Sequence, residues 1–351
     1  MNVVQQRMTL KDKWLQFRKE NPRVRIRDAA QQLGTTEASI LASFAGSSVL
    51  RLDKRFRELW ECMPDLGFVM VLTRNEHCVH ERKGVFGEVS VNSRHVGVVV
   101  GEDIDLRMLF HCWAFGFAVF DNEDAGFKQS IQVFDEQGTA IVKIFLQENS
   151  RHEAFDELIR AFQEPQQVQE LELKALPAPH VYADGSEDGE AFREDWRALK
   201  DTHDFFPLLK KYNISRLHAL HVAGDLARRV ANTTVKELLE TAAAQDMEIM
   251  VFVANHGNIQ IHTGTVKKIV EIPGWINVMD PLFNLHLKLE PIAETWLVTK
   301  PTVDGPVHSI EVFDATGKLV VQFFGKRKPG FPELAAWTAF VESLPDADRV
   351  F

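Results

Sequence analysis

The chain has 351 residues, 45% of them apolar, and its 40 Lys plus Arg against 50 Asp plus Glu give a formal charge of −10. That balance excludes a disordered chain, a fibre and a disulfide scaffold, and it gives no default attraction to nucleic acid or an anionic membrane. No stretch approaches the ~18–20 apolar residues of a membrane helix, residues 1–15 show no secretory pattern, and the sparse Cys62, Cys78 and Cys112 fit free thiols in a reducing cytoplasm.

In chain order, helical periodicity is expected over 9–20, 25–33 and 36–44, then strands over 67–73, 86–100 and 114–120. SIQVFDEQGTAIVKIF (130–145) alternates apolar and polar residues about a DEQG turn and reads as a hairpin, with a strand over 141–146 and a helix over 151–163. Residues 164–190 hold three prolines and many acids and read as a partly ordered linker. Helical patterns resume at 191–211 and 235–245, strands follow, and SIEVFDATGKLVVQFF (309–324) precedes a last helix over 332–343.

The two hairpins are copies. Eight of sixteen positions match at an offset of 179, from Ser130/Ser309 to Phe145/Phe324, and VMVLTRN (69–75) faces IMVFVAN (249–255) at an offset of 180. The expected architecture is therefore α+β, a tandem duplication in which each half is a large antiparallel sheet with flanking helices placed at its ends or on one face. The halves run over 1–165 and 191–351, with a linker over 166–190. Domain interfaces favour ligand pockets, so two diverged halves suit a cleft that grips a flat ligand from two sides.

Several clusters carry possible chemistry. In EDWRALKDTHDFFPLLKK (194–211), Trp196, Leu199, His203, Phe206 and Leu209 recur at helical spacing, which places His203 on an apolar stripe. It is either a core histidine or a metal ligand in apolar surroundings, as in a haem pocket; Pro207 would kink the helix. His77, Cys78 and His80 are close in sequence, but a zinc site needs ligands that no second pair supplies. His218 and His221 read as a half-buried helix face. Residues 25–44, RIRDAAQQLGTTEASILASF, look like a helix-turn-helix, and residues 1–60 carry a net +6 from twelve basic and six acidic residues. The favoured alternative is a small helical subdomain packed on the sheet, because the rest of the chain is a duplicated β-rich scaffold. Motifs for acyl transfer, nucleotide hydrolysis and dinucleotide chemistry are missing, so an enzyme here would take its difficult chemistry from a cofactor or substrate.

RDAAQQLG, DLRMLF, AGFKQSIQVFD, DWRALKDTHDFFPLLKK, EIMVFVAN, GWINVMD and TWLVTKPTVDG occur in order. Together they resemble the cytoplasmic haem-trafficking and haem-degrading proteins of the HemS/ChuS type over nearly the whole chain. The resemblance implies haem b held between the repeats, with His203 as the iron ligand and Arg107 as a distal arginine that orients water or stabilises bound oxygen. It assigns Arg216, Lys300 and Arg327 to the propionates with Gln322 as a polar neighbour, Phe252 to the porphyrin face, and His80 to an alternative haem site. Phe324 stands where relatives can have tyrosine, and Leu109 where a phenylalanine lines the distal side. The implied activity is haem binding after import, followed by ring degradation or delivery to a haem oxygenase. The implied partners are an electron donor, a haem oxygenase or an inner-membrane haem transporter; nucleic acid and membrane insertion are not expected.

Overall fold

The computed structural model describes residues 8–93, 95–178, 180–182, 189–327 and 330–347. The first half begins with three helices, α1 (Leu10–Glu20), α2 (Ile26–Gln32) and α3 (Glu37–Ala42). There follow β1 (Val49–Leu52), α4 (Phe56–Glu61), β2 (Gly67–Arg74), β3 (Cys78–Gly84), β4 (Glu88–Ser90), β5 (Val96–Val100), β6 (Asp105–Leu109), β7 (Phe115–Val119), β8 (Ser130–Phe134), β9 (Ala140–Ser150) and α5 (His152–Phe162). The second half has α6 (Gly189–Arg197), α7 (Phe205–Lys211), α8 (Arg216–His221), β10 (Ala227–Val230), α9 (Thr234–Ala244), β11 (Ile249–Ala254), β12 (Asn258–Gly264), β13 (Ile269–Ile272) and β14 (Trp275–Met279). It ends with β15 (Phe283–Lys288), β16 (Ile292–Lys300), β17 (Val307–Asp314), β18 (Leu319–Gly325) and α10 (Ala335–Ser343). Among the described residues no helix is long and apolar enough to cross a membrane.

The chain forms two compact units that differ from the two sequence halves by a pair of short segments. Asn75–His80 counts with the second unit and Asn255–Ile259 with the first. In the first unit β1, β7, β8, β9 and β2 pair antiparallel in that order, and β4, β5 and β6 form a three-stranded antiparallel set. The second unit repeats both arrangements, as β10, β16, β17, β18, β11 and as β13, β14, β15. The expected 86–100 strand is two strands, β4 and β5.

Flanking helices accompany each large sheet as expected, and they cover both of its faces where the sequence placed them at its ends or on one face. In the first unit Trp14, Ala29, Ile40 and Leu41 of α1–α3 pack with Phe117 and Phe134, while Trp60, Phe155 and Ile159 of α4 and α5 pack with Val69, Val71 and Ile144. In the second, Phe192, Trp196, Phe205 and Leu220 of α6–α8 pack with Trp296 and Phe313, while Leu238, Trp337 and Val341 of α9 and α10 pack with Val251 and Ile310. β8 is buried at every position for this reason, since a strand covered on both faces has no solvent side.

The duplicated hairpin turns show why the Asp-x-x-Gly pattern recurs. Asp135 Oδ1 accepts from the backbone of Gln137 (2.9 Å) and Thr139 (2.7 Å), and Asp314 Oδ1 accepts from Thr316 (2.8 Å) and Lys318 (3.0 Å). Gly138 and Gly317 sit at φ +78° and +77°, where a side chain is strained. The helix-turn-helix reading fails on burial. Glu37, Ala38, Ile40, Leu41 and Ala42 of the six-residue α3 are buried, so α3 has no face left to enter a groove. Of the expected 166–190 linker, Gln167 is tied to Arg51 by bonds of 2.6 Å and 3.2 Å; residues 179 and 183–188 lie outside the described residues.

Candidate ligand site

The segment carrying His203 is not one helix. α6 ends at Arg197, and a new start is built at Asp201, which caps a 3-10 turn over Thr202–Asp204 that runs into α7. Asp201 Oδ1 accepts from the His203 backbone N–H (2.8 Å), while the Asp201 backbone N–H donates to Asp204 (3.1 Å), a capping box. Pro207 falls in the first turn of α7, where its missing N–H costs nothing, so it starts a helix rather than kinking one. The stripe expected from sequence is therefore broken. Trp196 and Leu209 are buried, but the His203 side chain is 91% exposed and Phe206 is 73% exposed.

The exposed imidazole is held from one side. His203 Nδ1 lies 2.5 Å from Asp201 Oδ1, which makes Nδ1 the donor to that carboxylate and leaves Nε2 outside the pair. Asp201 is kept below the usual carboxylate range, first by the His203 backbone N–H, then by its ring and by nearby Arg327. One neighbouring loop is tied to this segment, its Val303 N–H donating to Lys200 O (3.0 Å), and a second is tied to that loop, its Gly330 N–H donating to Asp304 (2.9 Å). Each presents an exposed apolar side chain, Val303 and Phe331. Sequence reasoning missed Asp201, Val303 and Phe331; the Asp-x-x-Asp capping pattern was the one available signal.

The other predicted residues of the second unit come from one sheet face and α8. Antiparallel register pairs Phe252 with Gln322 and Gln322 with Glu311, and places Phe324 opposite Ser309. Phe252 and Phe324 are half-buried, with ring centroids 5.0 Å apart. Lys300 Nζ lies 4.9 Å from the Phe205 ring centre and 5.9 Å from that of Phe324, and the Arg216 guanidinium lies 5.2 Å from Phe205. Arg216 and Lys300 share one buried counter-ion, Glu311, at 2.6 Å and 2.8 Å. Glu311 was absent from the sequence reading, since its partners stand 95 and 11 residues away in the chain. Arg327 is half-buried.

Two further predicted residues lie on other elements. Arg107 belongs to the first unit, on β6 opposite Val98, where its guanidinium pairs with Asp105 and donates to Leu106 O (3.1 Å) and Val99 O (3.4 Å). Burial raises the Asp105 carboxyl, and Arg107 opposes that rise. On the same strand face Val96 and Val100 are exposed and Leu109 is half-buried. His80 is fully buried, its ring 4.9 Å from Phe283, so no ligand reaches it without local opening.

An exposed imidazole with one nitrogen held, together with exposed apolar side chains, paired cations and two phenylalanines inclined at 59° to each other, makes a donor set for a flat, apolar ligand with a metal centre and an anionic edge. The family model described as the haemin-degrading HemS.ChuX domain matches residues 34–162 and 213–344. The chain is 36% identical over 339 residues to the hemin transport protein HemS of Yersinia enterocolitica, covering 96% of this chain and 97% of that protein. It is similar to the crystal structure of holo-PhuS, a heme-binding protein from Pseudomonas aeruginosa, with a TM-score of 0.93, 44% identity, and 96% and 98% of the two chains covered. It is also similar to ChuS, described as an E. coli heme oxygenase, with a TM-score of 0.85, 35% identity, and 96% and 99% covered. Both halves of the chain are matched, and the chain belongs to the haemin-degrading HemS/ChuX family.

Proposed function

We propose that this protein binds haem b in the cytoplasm after import, using His203 as the iron ligand, and then either opens the ring to release iron or passes haem to a separate haem oxygenase. The observation that carries this reading is the His203–Asp201 pair. A ligating imidazole is fixed in tautomer and direction by a partner on its other nitrogen, and here Nδ1 is so held while the ring stands 91% exposed. Phe252 and Phe324 supply apolar contact for a porphyrin. Arg216, Lys300 and Arg327, with Gln322, are the propionate partners in this reading, through charge-assisted hydrogen bonds. The printed descriptions of PhuS as haem-binding and of ChuS as a haem oxygenase support it.

In ring oxidation haem is the substrate, and its iron supplies the redox chemistry with an electron donor and dioxygen or peroxide. Arg107 is the proposed catalytic cation, its permanent charge held in place by Asp105. In delivery, the same residues hold haem reversibly for a haem oxygenase or an inner-membrane transporter.

Titration of the apo-protein with hemin should give a Soret band that is lost or shifted in His203→Ala; an unchanged spectrum rejects His203 as the ligand. Turnover with a reductase that persists in the presence of catalase marks an enzyme, and turnover abolished by catalase marks a carrier. Arg107→Ala should keep the Soret band and lose turnover if ring opening is the activity.

A further inference from the structure

The most unusual group near the site is one to which no role has been given. Glu311 is fully buried on β17, and four side chains donate to it. Arg216 does so through Nε (2.6 Å) and Nη2 (2.7 Å), Lys300 through Nζ (2.8 Å), Gln322 through Nε2 (3.0 Å) and Ser309 through Oγ (3.1 Å). Three of these four are the groups proposed to meet the propionates. A buried carboxylate persists only when it is paired and hydrogen-bonded, and the dependence runs both ways, because Lys300 is only 3% exposed.

The duplication shows that this arrangement is particular to the second unit. At an offset of 179, Glu37 stands where Arg216 does, Gln132 where Glu311 does, Lys143 where Gln322 does and Asp121 where Lys300 does. The first unit also ties its helix to its sheet by a buried ion pair, Glu37 with Lys143, so its charges cancel. In the second unit one carboxylate faces two cations, leaving a net positive charge, and Arg216 Nη1 is outside the bidentate pair.

We propose that Glu311 is a positioning residue for carboxylate recognition: it grips Arg216 and Lys300 from the sheet and holds both cations in register for the acidic edge of a porphyrin. The inference rests on the reading of this face as a porphyrin site. The groups facing Lys300 are Glu311 and Ser309 on β17, Arg216 on α8, Gln322 on β18, and the rings of Phe205 on α7 and Phe324 on β18. Burial and Arg216 favour the neutral amine, and Glu311 is the group that opposes them. Without Glu311, burial and Arg216 act on Lys300 unopposed, so its ammonium should give up its proton at lower pH, and Arg216 should lose its anchor.

Zinc protoporphyrin IX and its dimethyl ester, titrated by fluorescence into the full chain from about pH 6 to about pH 9, test this. The wild type should prefer the acid form over the ester. Glu311→Gln should bind the acid form about tenfold more weakly at the alkaline end, recover as pH falls, and bind the ester as the wild type does. Glu311→Asp should restore part of the preference. Equal losses for acid and ester, or a Glu311→Gln pH profile parallel to that of the wild type, overturn the proposal. If Glu311→Gln does not fold, the double variant Lys300→Met/Glu311→Gln removes both buried charges; it should lose the preference for the acid form, and keeping it overturns the proposal. Failure of the wild type to bind either porphyrin overturns the porphyrin reading itself, an outcome distinct from wild-type binding with an indifferent Glu311.

Discussion

Removing the carboxylate of Asp201 tests the second half of the His203 pair. The ring nitrogen lies 2.5 Å from Oδ1 and the backbone N–H of His203 donates to the same oxygen at 2.8 Å, so Asp201→Ala removes both the ring's partner and the cap of its turn. Loss of such a partner behind an enclosed metal ligand costs about 10–100-fold in affinity. Here the histidine and aspartate side chains are 91% and 57% exposed, and water replaces much of what is lost. The expected weakening of hemin binding is therefore about 3–10-fold. It should appear mainly in the dissociation rate, because the freed ring samples other rotamers. Asp201→Asn keeps an oxygen acceptor and should cost about half as much on a logarithmic scale. The sign with pH follows from the Asp201 carboxyl lying below its usual range. Its contribution is present above the ordinary carboxylate value of about 4 and is lost as pH falls below it, so wild type and Asp201→Ala should converge only in acid. Soret titration and haem loss to apomyoglobin measure the effect. Equal dissociation rates for wild type and Asp201→Ala, with His203→Ala abolishing binding, would refute the positioning argument.

Three further outcomes follow from the packing. Lys143→Met strands Glu37 in the first unit's core, and chemical denaturation should show a loss of about 3–5 kcal/mol, largely restored in Glu37→Leu/Lys143→Met. Gly138→Ala and Gly317→Ala share a positive φ, but a Cβ at 138 clashes with Thr36 Oγ1 while one at 317 meets Leu217 at 3.4 Å. Stability measured by denaturation should thus fall for both, by about 1–2 kcal/mol from conformation alone, and further for Gly138→Ala. Arg216 and Lys300 hold the Glu311 carboxyl far below its ordinary range although burial opposes them. Its stabilisation is therefore complete above the unfolded value of about 4.3 and lost as pH falls below it. Denaturation midpoints across that acid range should show the gap between wild type and Glu311→Gln closing; a gap independent of pH contradicts the assignment.

The repeat, the two Asp-x-x-Gly hairpins and the family were all legible in the sequence because each is local or recurs at a constant offset. The Asp135 and Asp314 turns need only residues within four positions, so their pattern survives duplication intact. The helix periods of α1–α3, α5, α9 and α10 were legible for the same reason, to within a few residues, while α4 was not read from the sequence. One reading failed where periodicity was trusted across a cap. Trp196 through Leu209 looked like one stripe, but the Asp201–Asp204 capping box restarts the helix and turns His203 outward. The basic stretch with a helix-turn-helix pattern was read first as a helical subdomain packed on the sheet, and the burial of α3 agrees with that reading.

The linear sequence determined that this is a duplicated α+β chain with its turns at set places, since hydrogen-bonded turns and alternating faces depend on neighbours alone. Only the tertiary structure decided which charges are available to a ligand. Glu311 meets Arg216 across 95 residues, and its first-repeat counterpart Gln132 is not charged, while Glu37 and Lys143 pair instead. Which of these groups is buried against which follows from long-range packing and not from local pattern, because a buried charge is tolerated only beside the partner that the fold brings to it.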